Sequence, residues 1–216
     1  MIVVSDDEDE SDSSPQKFLS QNVTDSVLNI NHDYRYLKMG YYVSAHAEIY
    51  GVKVTPSCTE IMDAYRNPLL ISKANLNGIR TSKSSLTTLP HSNSCPSLLF
   101  AVSPFTYNSM KVVNTDSKLI EMVKKMSMGG RFPVSIHQLT GKVVEVVQVF
   151  GESNNKDLLN FTKKFYEVFN IPICKLVVQI DDNGIALCHC EPALKKEVDW
   201  DIVQKNIKRI RANGNI

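Results

Sequence analysis

The sequence predicts an α/β fold in which a mixed sheet alternates with helices, late β-hairpins add further strands, and the chain has room for two lobes. In the first half, short apolar runs alternate with segments whose apolar residues recur every three or four positions. In the second half, apolar runs flank the turn signals Thr140-Gly141 and Asn183-Gly184. A chain of 216 residues with 43% hydrophobic and 22% charged residues can bury a sizeable core, so residues 1–216 fit one domain.

The first quarter of the chain predicts a strand, a loop, a strand and a helix in that order. "MIVVSD" is a short apolar run that predicts a strand, and the acidic, serine-rich stretch 6–17 predicts a solvated loop. "SVLNIN" predicts the second strand. A helix follows from Tyr36 and ends at Gly51, which can close it in a left-handed conformation. Its predicted apolar face has a spacing of four residues: Leu37, Tyr41, Ala45 and Ile49.

The middle of the chain has a weaker pattern. "VKVTPS" predicts a strand, and "CTEIMDAYRN" predicts a short helix that ends before Pro68. Residues 71–96 are rich in Ser, Asn and Thr with little periodicity, so they predict a long loop and a candidate boundary between two lobes. "SLLFAVSPF" then predicts a strand, and "SKLIEMVKKMSMGG" predicts a helix closed by glycines.

The last third of the chain predicts two hairpins and two helices. "FPVSIHQL" and "KVVEVVQVF" flank the first turn signal, and "CKLVVQI" and "IALCHC" flank the second. Between them, "KDLLNFTKKFYEVFN" predicts a helix with one aromatic stripe. "DWDIVQKNIKRIRANG" predicts the final helix, with Asp199 as its cap and basic residues near its C-terminal end.

Charge and composition argue against several classes of protein. The formal net charge of +1 gives no overall field toward nucleic acid or a membrane surface. The apolar runs fall short of the roughly 18 residues that a membrane-spanning helix needs, and the N-terminus lacks the features of a secretory signal. Five cysteines without a framework spacing fit a reducing compartment, so we expect a cytoplasmic protein with no nucleic-acid or membrane partner.

One junction has the pattern of an anion site. The chain lacks both the P-loop and the dinucleotide-binding glycine pattern. In "VFGESNNKD", a glycine lies between a strand and a helix, where backbone amides favour an anion. An ordinary turn has the same sequence, so both interpretations stay open. The residues of this possible anion site are Gly151, Asn154, Asn155 and Lys156.

The "CHC" stretch groups three residues of types that bind zinc. In a strand, Cys188 and Cys190 point to one face and His189 to the other. Zinc sites generally need a second ligand cluster with suitable spacing, which this chain lacks. The pattern favours two small buried side chains, and the sequence predicts neither a metal ligand nor a catalytic residue.

The stretch "NINHDYRYLKMGYYVSAHAEIYG" concentrates five tyrosines around one arginine. Arg35 lies between Tyr34 and Tyr36 where a strand gives way to a helix, and open α/β sheets place ligands at such points. A guanidinium binds carboxylates or phosphates through a fixed fork, and phenols add flat apolar area. The same residues could simply lock the helix onto the sheet, with Arg35 paired to an acid.

These residues resemble the RimK-like ATP-grasp N-terminal domain family. Its pattern is Ser/Asp-Tyr-Arg-Tyr, then Gly-Tyr-Tyr-Val-Ser, a helix, and a strand that ends near a proline. The matching positions here are Asp33, Tyr34, Arg35, Tyr36, Gly40, Tyr41, Tyr42, Val43, Ser44 and Pro56. "VFGESNNKDLLNFTKKFYEVFNIPICKL" resembles a second passage of the family. Glu191-Pro192 departs from the Arg-Pro that the family tends to have, which weakens the transfer of an anion-binding role to that strand end.

The resemblance implies a Rossmann-like pre-ATP-grasp fold and a link to amide ligation. In such ligases ATP phosphorylates a carboxylate and an amine displaces the phosphate, with nucleotide and magnesium held by a C-terminal ATP-grasp module. It therefore implies no cofactor in this chain, with ATP and Mg expected on a partner ATP-grasp ligase subunit.

The resemblance therefore implies a non-catalytic accessory module of a separate peptide or amino-acid ligase. The module would position the small-molecule substrate of that ligase. The implied substrate- or partner-binding residues are Asp33, Tyr34, Arg35, Tyr36, Tyr42 and Ser44. Two alternatives remain: a free-standing binding domain for an anionic small metabolite, and an enzyme that uses a thiol such as Cys190.

Overall fold

The computed structural model describes residues 1–6, 11–89, 95–103 and 110–213, which form the mixed α/β fold that the sequence predicts. The α-helices are α1 Pro15–Leu19, α2 Met39–Ile49, α3 Cys58–Tyr65, α4 Asn67–Leu76, α5 Asp116–Met126, α6 Leu159–Phe169 and α7 Trp200–Asn213. The strands are β1 Ile2–Val4, β2 Val27–Asn29, β3 Val54–Thr55, β4 Ser84–Thr87, β5 Ser97–Ala101, β6 Lys111–Val113, β7 Val134–Gln138, β8 Lys142–Val149, β9 Ile173–Asp181 and β10 Gly184–Glu191.

The chain divides into two compact units. Unit 1 comprises Met1–Tyr65, Glu145–Leu176 and Cys190–Ile216, and unit 2 comprises Arg66–Val144 and Val177–His189. The first division thus falls between Tyr65 and Arg66, ahead of the segment 71–96. Unit 2 has ten Lys and Arg against four Asp and Glu, a formal charge of +6. Unit 1 has fourteen against nineteen, a formal charge of −5.

Unit 1 is built around the parallel sheet β1-β2-β3. Its strands are mostly apolar and are buried on both faces of the sheet. On one face, Val4, Val27 and Val54 pack with residues of α1 and α2. On the other, Val3 and Leu28 pack with residues of β8, β9 and α7.

Unit 2 is built around the antiparallel sheet of order β4-β7-β5-β6. Alternate residues of β5 point to opposite faces. Leu99 packs with Leu119 and Val123 of α5. Leu98 and Phe100 pack on the opposite face of the strand, with Val177 and Cys188.

The predicted hairpin at Asn183-Gly184 is confirmed, and the one at Thr140-Gly141 is wrong. β9 and β10 are neighbours in the third sheet, of order β10-β9-β8, and Gly184 has φ +102°. β7 instead pairs with β4 and β5, while β8 pairs with β9. Gly141 is required for a different reason, because a Cβ there would collide with the backbone of Ile180.

Two predicted loops contain helices. The loop predicted over 71–96 begins inside α4, which starts at Asn67-Pro68, and it also contains β4. Proline suits the first turn of a helix, so Pro68 opens α4 rather than only ending α3. The acidic loop 6–17 likewise runs into α1, where the Ser14 hydroxyl accepts a hydrogen bond from the Lys17 amide. Residues 7–10 and 90–94 of these two segments lie outside the described residues.

The helix predicted from Tyr36 begins at Met39 and buries a different face. Its buried residues are Gly40, Val43, Ser44 and Ala47, whereas Ile49 of the predicted apolar face is 80% exposed. The error arises because Gly40 and Ser44 are small polar or neutral residues that a hydrophobic spacing does not mark. The left-handed conformation predicted for Gly51 is confirmed, at φ +69°.

Candidate functional site

The segment that contains Tyr34, Arg35 and Tyr36 lies in unit 1 at the carboxyl end of the parallel sheet. β2 ends at Asn29, and the segment 30–38 leads from it into α2. At the start of α2, a Cβ on Gly40 would lie 2.6 Å from the Asp33 carbonyl oxygen. Only glycine lets the helix approach the segment this closely, so Gly40 positions the residues around Asp33.

A buried polar network fixes this end of the sheet. The Asn29 side-chain amide donates to the Gly40 carbonyl (2.7 Å) and to the Ser44 hydroxyl (2.9 Å). The Asn31 amide in turn donates to the Asn29 side-chain oxygen (2.7 Å), and the Ser44 hydroxyl donates to the Pro56 carbonyl (2.6 Å). Asn29 and Ser44 are fully buried, and these bonds join β2, α2 and the end of β3. Ser44 therefore supports the candidate site from below its surface.

Tyr34 also has its contacts inside the protein. Its side chain is fully buried, and its hydroxyl donates to the Asn29 carbonyl at 2.9 Å. Its ring lies 6.2 Å from that of Tyr65. Burial raises the pKa of the Tyr34 phenol well above its ordinary value, because the ionised form would lose its hydration. The tyrosine therefore stays neutral and ties the segment to the sheet.

Arg35 forms a fork-shaped ion pair with Asp33. Arg35 Nε lies 2.9 Å from Asp33 Oδ1, and Arg35 Nη2 lies 2.7 Å from Oδ2. The Asp33 carboxylate also accepts a hydrogen bond from the Arg35 backbone amide at 3.2 Å. The arginine side chain is 35% exposed and the aspartate 22%. The acid thus orients the guanidinium plane while leaving it partly in contact with solvent.

An exposed apolar surface lies next to this pair in sequence. We call it the tyrosine surface, and its members are 39–45% exposed: Tyr36, Leu37, Met39 and Tyr42. The rings of Tyr36 and Tyr42 make edge contacts with Tyr41 at 5.1 and 6.1 Å. Grouped exposed aromatic and apolar side chains are a common mark of an interaction surface.

His32 was missed as a member of this region. Its Nδ1 lies 3.3 Å from Asp6 Oδ2, and both residues follow neighbouring parallel strands. Contact with the Asp6 carboxylate raises the pKa of His32, and the same contact lowers the pKa of Asp6. The signal available in the sequence was the position of both residues just after apolar strands, since such strand ends converge.

At the possible anion site, the main groups are engaged in a turn. Gly151 has φ +81°, its amide donates to the Gln148 side chain at 2.7 Å, and its carbonyl accepts from Thr162 at 2.8 Å. The Asn155 side chain accepts from the Asp157 amide at 3.1 Å. Asn154 and Lys156 are exposed. Anion binding at this junction stays a prediction.

The buried state predicted for the two cysteines of "CHC" is confirmed. Cys188 is fully buried and Cys190 is 1% exposed. Burial raises the pKa of the Cys190 thiol well above its usual range, which disfavours the thiolate that a nucleophile needs. Among the described residues, no group of His, Cys, Asp and Glu could hold a metal ion. Over the same part of the chain, no helix is long and apolar enough to cross a membrane.

Solved structures define the class of fold. The D-alanine–D-alanine ligase of Bacillus anthracis, solved with ATP, is 12% identical, with a TM-score of 0.62 over 93% of this chain and 83% of that chain. The RimK domain ATP-grasp protein of Sphaerobacter thermophilus is 10% identical, with a TM-score of 0.61 over 84% and 76%. The ATP-grasp ligase PsnB with its minimal precursor is 10% identical, with a TM-score of 0.61 over 96% and 98%. The fold is therefore one that ATP-grasp ligases contain.

A sequence match narrows the class to one family. The chain belongs to the RimK-like ATP-grasp N-terminal domain family, whose model matches residues 15–202. The resemblance carried by the segment from Asp33 to Ser44 is thereby confirmed. A comparison with curated proteins finds no match.

Proposed function

We propose that this chain is a non-catalytic accessory module of a separate ATP-grasp amide ligase, which it contacts through the tyrosine surface and the Arg35–Asp33 pair. In this role it positions the peptide or amino-acid substrate of the ligase subunit, where ATP and magnesium bind. Family membership supports the link to ATP-grasp ligases.

The observation that carries the proposal is the exposed tyrosine surface beside an oriented ion pair. The supporting residues Tyr34, Ser44 and Asn29 are buried and hydrogen-bonded, so the surface stands on a fixed base. Tyr and Arg are enriched, with Trp, at the energetic centre of protein interfaces. Tyr combines a large contact area with few rotatable bonds, and Arg presents a planar fork of hydrogen-bond donors. An Arg that an acid already orients loses less rotational freedom on binding.

The same ion pair argues against the alternative of a free-standing site for an anionic metabolite centred on Arg35. Asp33 lies against the guanidinium and cancels most of its charge at short range. An incoming anion would have to compete with, or lie close to, that carboxylate. A partner surface with apolar and polar groups fits this arrangement better than a small anion does.

The test is reconstitution with purified ATP-grasp ligases from the same cell, beginning with any encoded beside this chain. We expect one of them to bind the chain and to release ADP faster, with carboxylate and amine present, when the chain is added. Tyr42→Ala should weaken binding about 30-fold, as expected for the loss of a central interface tyrosine. Tyr50→Ala is the matched control, because Tyr50 is 41% exposed at the other end of α2 and bonds to Asn22.

Arg35→Lys tests the fork itself, since lysine keeps the charge and loses the planar geometry. Arg80→Lys is its control: Arg80 is 38% exposed and pairs with Asp181 at 2.7 Å, the same distance as in the Arg35–Asp33 pair. We expect only the Arg35 variant to lower affinity. The proposal is wrong if no ATP-grasp ligase binds, or if the two tyrosine variants and the two arginine variants behave alike.

A further inference from the structure

A polar cavity of about 270 Å³ lies in unit 2. Ile136 forms its apolar lining. The polar residues that line it are Lys83, Ser84, Ser85, Cys95, Ser97 and Gln138. Nothing in the sequence marked these residues as a group, because they come from three separate segments.

Strand pairing brings these segments together. Ser85 is the register partner of Ile136, and Ser97 is the register partner of Gln138. The backbone amide of Gln138 donates to the Lys83 carbonyl at 2.9 Å, which extends the pairing of β4 and β7. The cavity is therefore built on three hydrogen-bonded strands and not on a single loop.

The cavity occupies the polar end of a sheet face whose other end is apolar. Leu99 and Ile136 on this face pack with α5 through Leu119 and Val123. α5 thus covers the apolar end, and the cavity lies at the other end, where Ser97 is buried and Gln138 is exposed. The cavity is open to solvent at the exposed residues Lys83, Ser85 and Gln138, so a small ligand can enter it.

The chemistry of the lining favours an oxyanion. On this face it offers one ammonium group from Lys83, two hydroxyl groups from Ser85 and Ser97, and one side-chain amide from Gln138, and none of the described lining residues is an acid. Unit 2 as a whole has a formal charge of +6, which attracts anions. The thiol adds no charge, because burial and the neighbouring Asp116 raise the pKa of Cys95. Ammonium and hydroxyl donors together bind phosphate or carboxylate oxygens well.

We propose that this cavity binds a small oxyanion, namely the phosphate or carboxylate group of a small metabolite, with Lys83 as the charged donor. Its volume is slightly below that of typical drug-sized sites, which fits a ligand of few atoms. The proposal does not depend on the tyrosine surface or on a ligase partner.

The test is a titration of the whole chain with inorganic phosphate and, separately, with succinate, with chloride at matched ionic strength as the blank. We expect saturable shifts of the backbone NMR signals of Ser97, Ile136 and Gln138, with a Kd on the order of millimolar. Saturation by phosphate alone identifies a phosphate site, and saturation by succinate alone identifies a carboxylate site.

Two variants show whether the cavity is responsible. Lys83→Gln should weaken binding about tenfold, the effect of losing one charged hydrogen bond. Ser85→Asp should abolish it by placing a carboxylate in the cavity; both positions are exposed, so the fold should tolerate the changes. Lys125→Gln, in the last turn of α5, removes an equal charge elsewhere in unit 2 and should have little effect. The proposal is overturned if neither anion saturates these signals, or if the Lys83 and Lys125 variants bind equally.

Discussion

Acidification should destabilise unit 2 through His137, a histidine held neutral inside the protein. His137 is fully buried, and burial lowers its pKa from 6.5 to about 4. Its Nδ1 lies 2.5 Å from the Ser82 hydroxyl, and its Nε2 lies 2.9 Å from Ser135 and 3.0 Å from the Asn67 oxygen. A neutral ring satisfies these contacts by accepting a hydrogen bond on one nitrogen and donating from the other.

The direction of the change in stability follows from how many protons the folded and unfolded chains bind. A group whose pKa is lowered by folding contributes stability above its unfolded value, and this stability is lost as the pH falls toward its folded value. Between about pH 7.5 and pH 4.5, the unfolded chain takes up a proton at this position and the folded chain largely does not. With pKa values of 6.5 and about 4, the loss is about 2.5 kcal/mol in the free energy of unfolding.

The measurement compares wild type with His137→Gln by urea denaturation, followed through the NMR signals of β7 at several pH values in this interval. The comparison with the variant is needed because His32 changes the stability of the protein in the opposite direction. The raised pKa of His32 contributes stability that is present below pH 6.5 and is lost as the pH rises. The stability advantage of wild type over the variant should shrink by about 2.5 kcal/mol as the pH falls.

Ser82→Ala serves as the control for this comparison. It should lower stability while keeping the wild-type pH dependence, because the shift in the pKa of His137 comes from burial and not from the serine. If wild type and His137→Gln lose the same stability over this interval, the reasoning is refuted.

Two further substitutions test the local structure. Gly40→Ala should destabilise unit 1 by about 1–3 kcal/mol, because the added methyl group would meet the Asp33 carbonyl at 2.6 Å, and an unchanged thermal midpoint would contradict this. Ser14→Ala should cost about 1 kcal/mol by removing the cap of α1, measured as a lower urea midpoint; Ser20→Ala, at the other end of that helix, should cost less.

Local signals predicted much of the fold, and they failed where one residue type has two uses. Asn183-Gly184 predicted its hairpin because a left-handed glycine between two apolar runs suits a tight turn. Thr140-Gly141 carries a similar signal, but its glycine is needed for the approach of the Ile180 backbone, which lies far away in the sequence. Pro68 ends one helical pattern and opens the next, and no local feature distinguishes these two uses.

The candidate site was predictable only in part, because burial and strand pairing depend on contacts between residues that are distant in the sequence. The family pattern marked Tyr34, Arg35 and Ser44 together, yet only burial shows that Tyr34 and Ser44 lie beneath the surface and Arg35 at it. The Asp6–His32 contact depends on the pairing of β1 with β2. The cavity beside Lys83 depends on the register of three strands, and composition carries no information about register.

The hydrogen bonds of Asn29 have a consequence for the rate at which the tyrosine surface would bind a partner. One carboxamide joins the sheet to the opening turn of α2 and, through Ser44, to the end of β3. Because these hydrogen bonds already fix the residues beneath the tyrosine surface, that surface should need no refolding when the proposed partner binds. Encounter would then proceed at the ordinary orientation-limited pace of rigid proteins, about 10⁵–10⁷ M⁻¹s⁻¹, without a slow ordering phase.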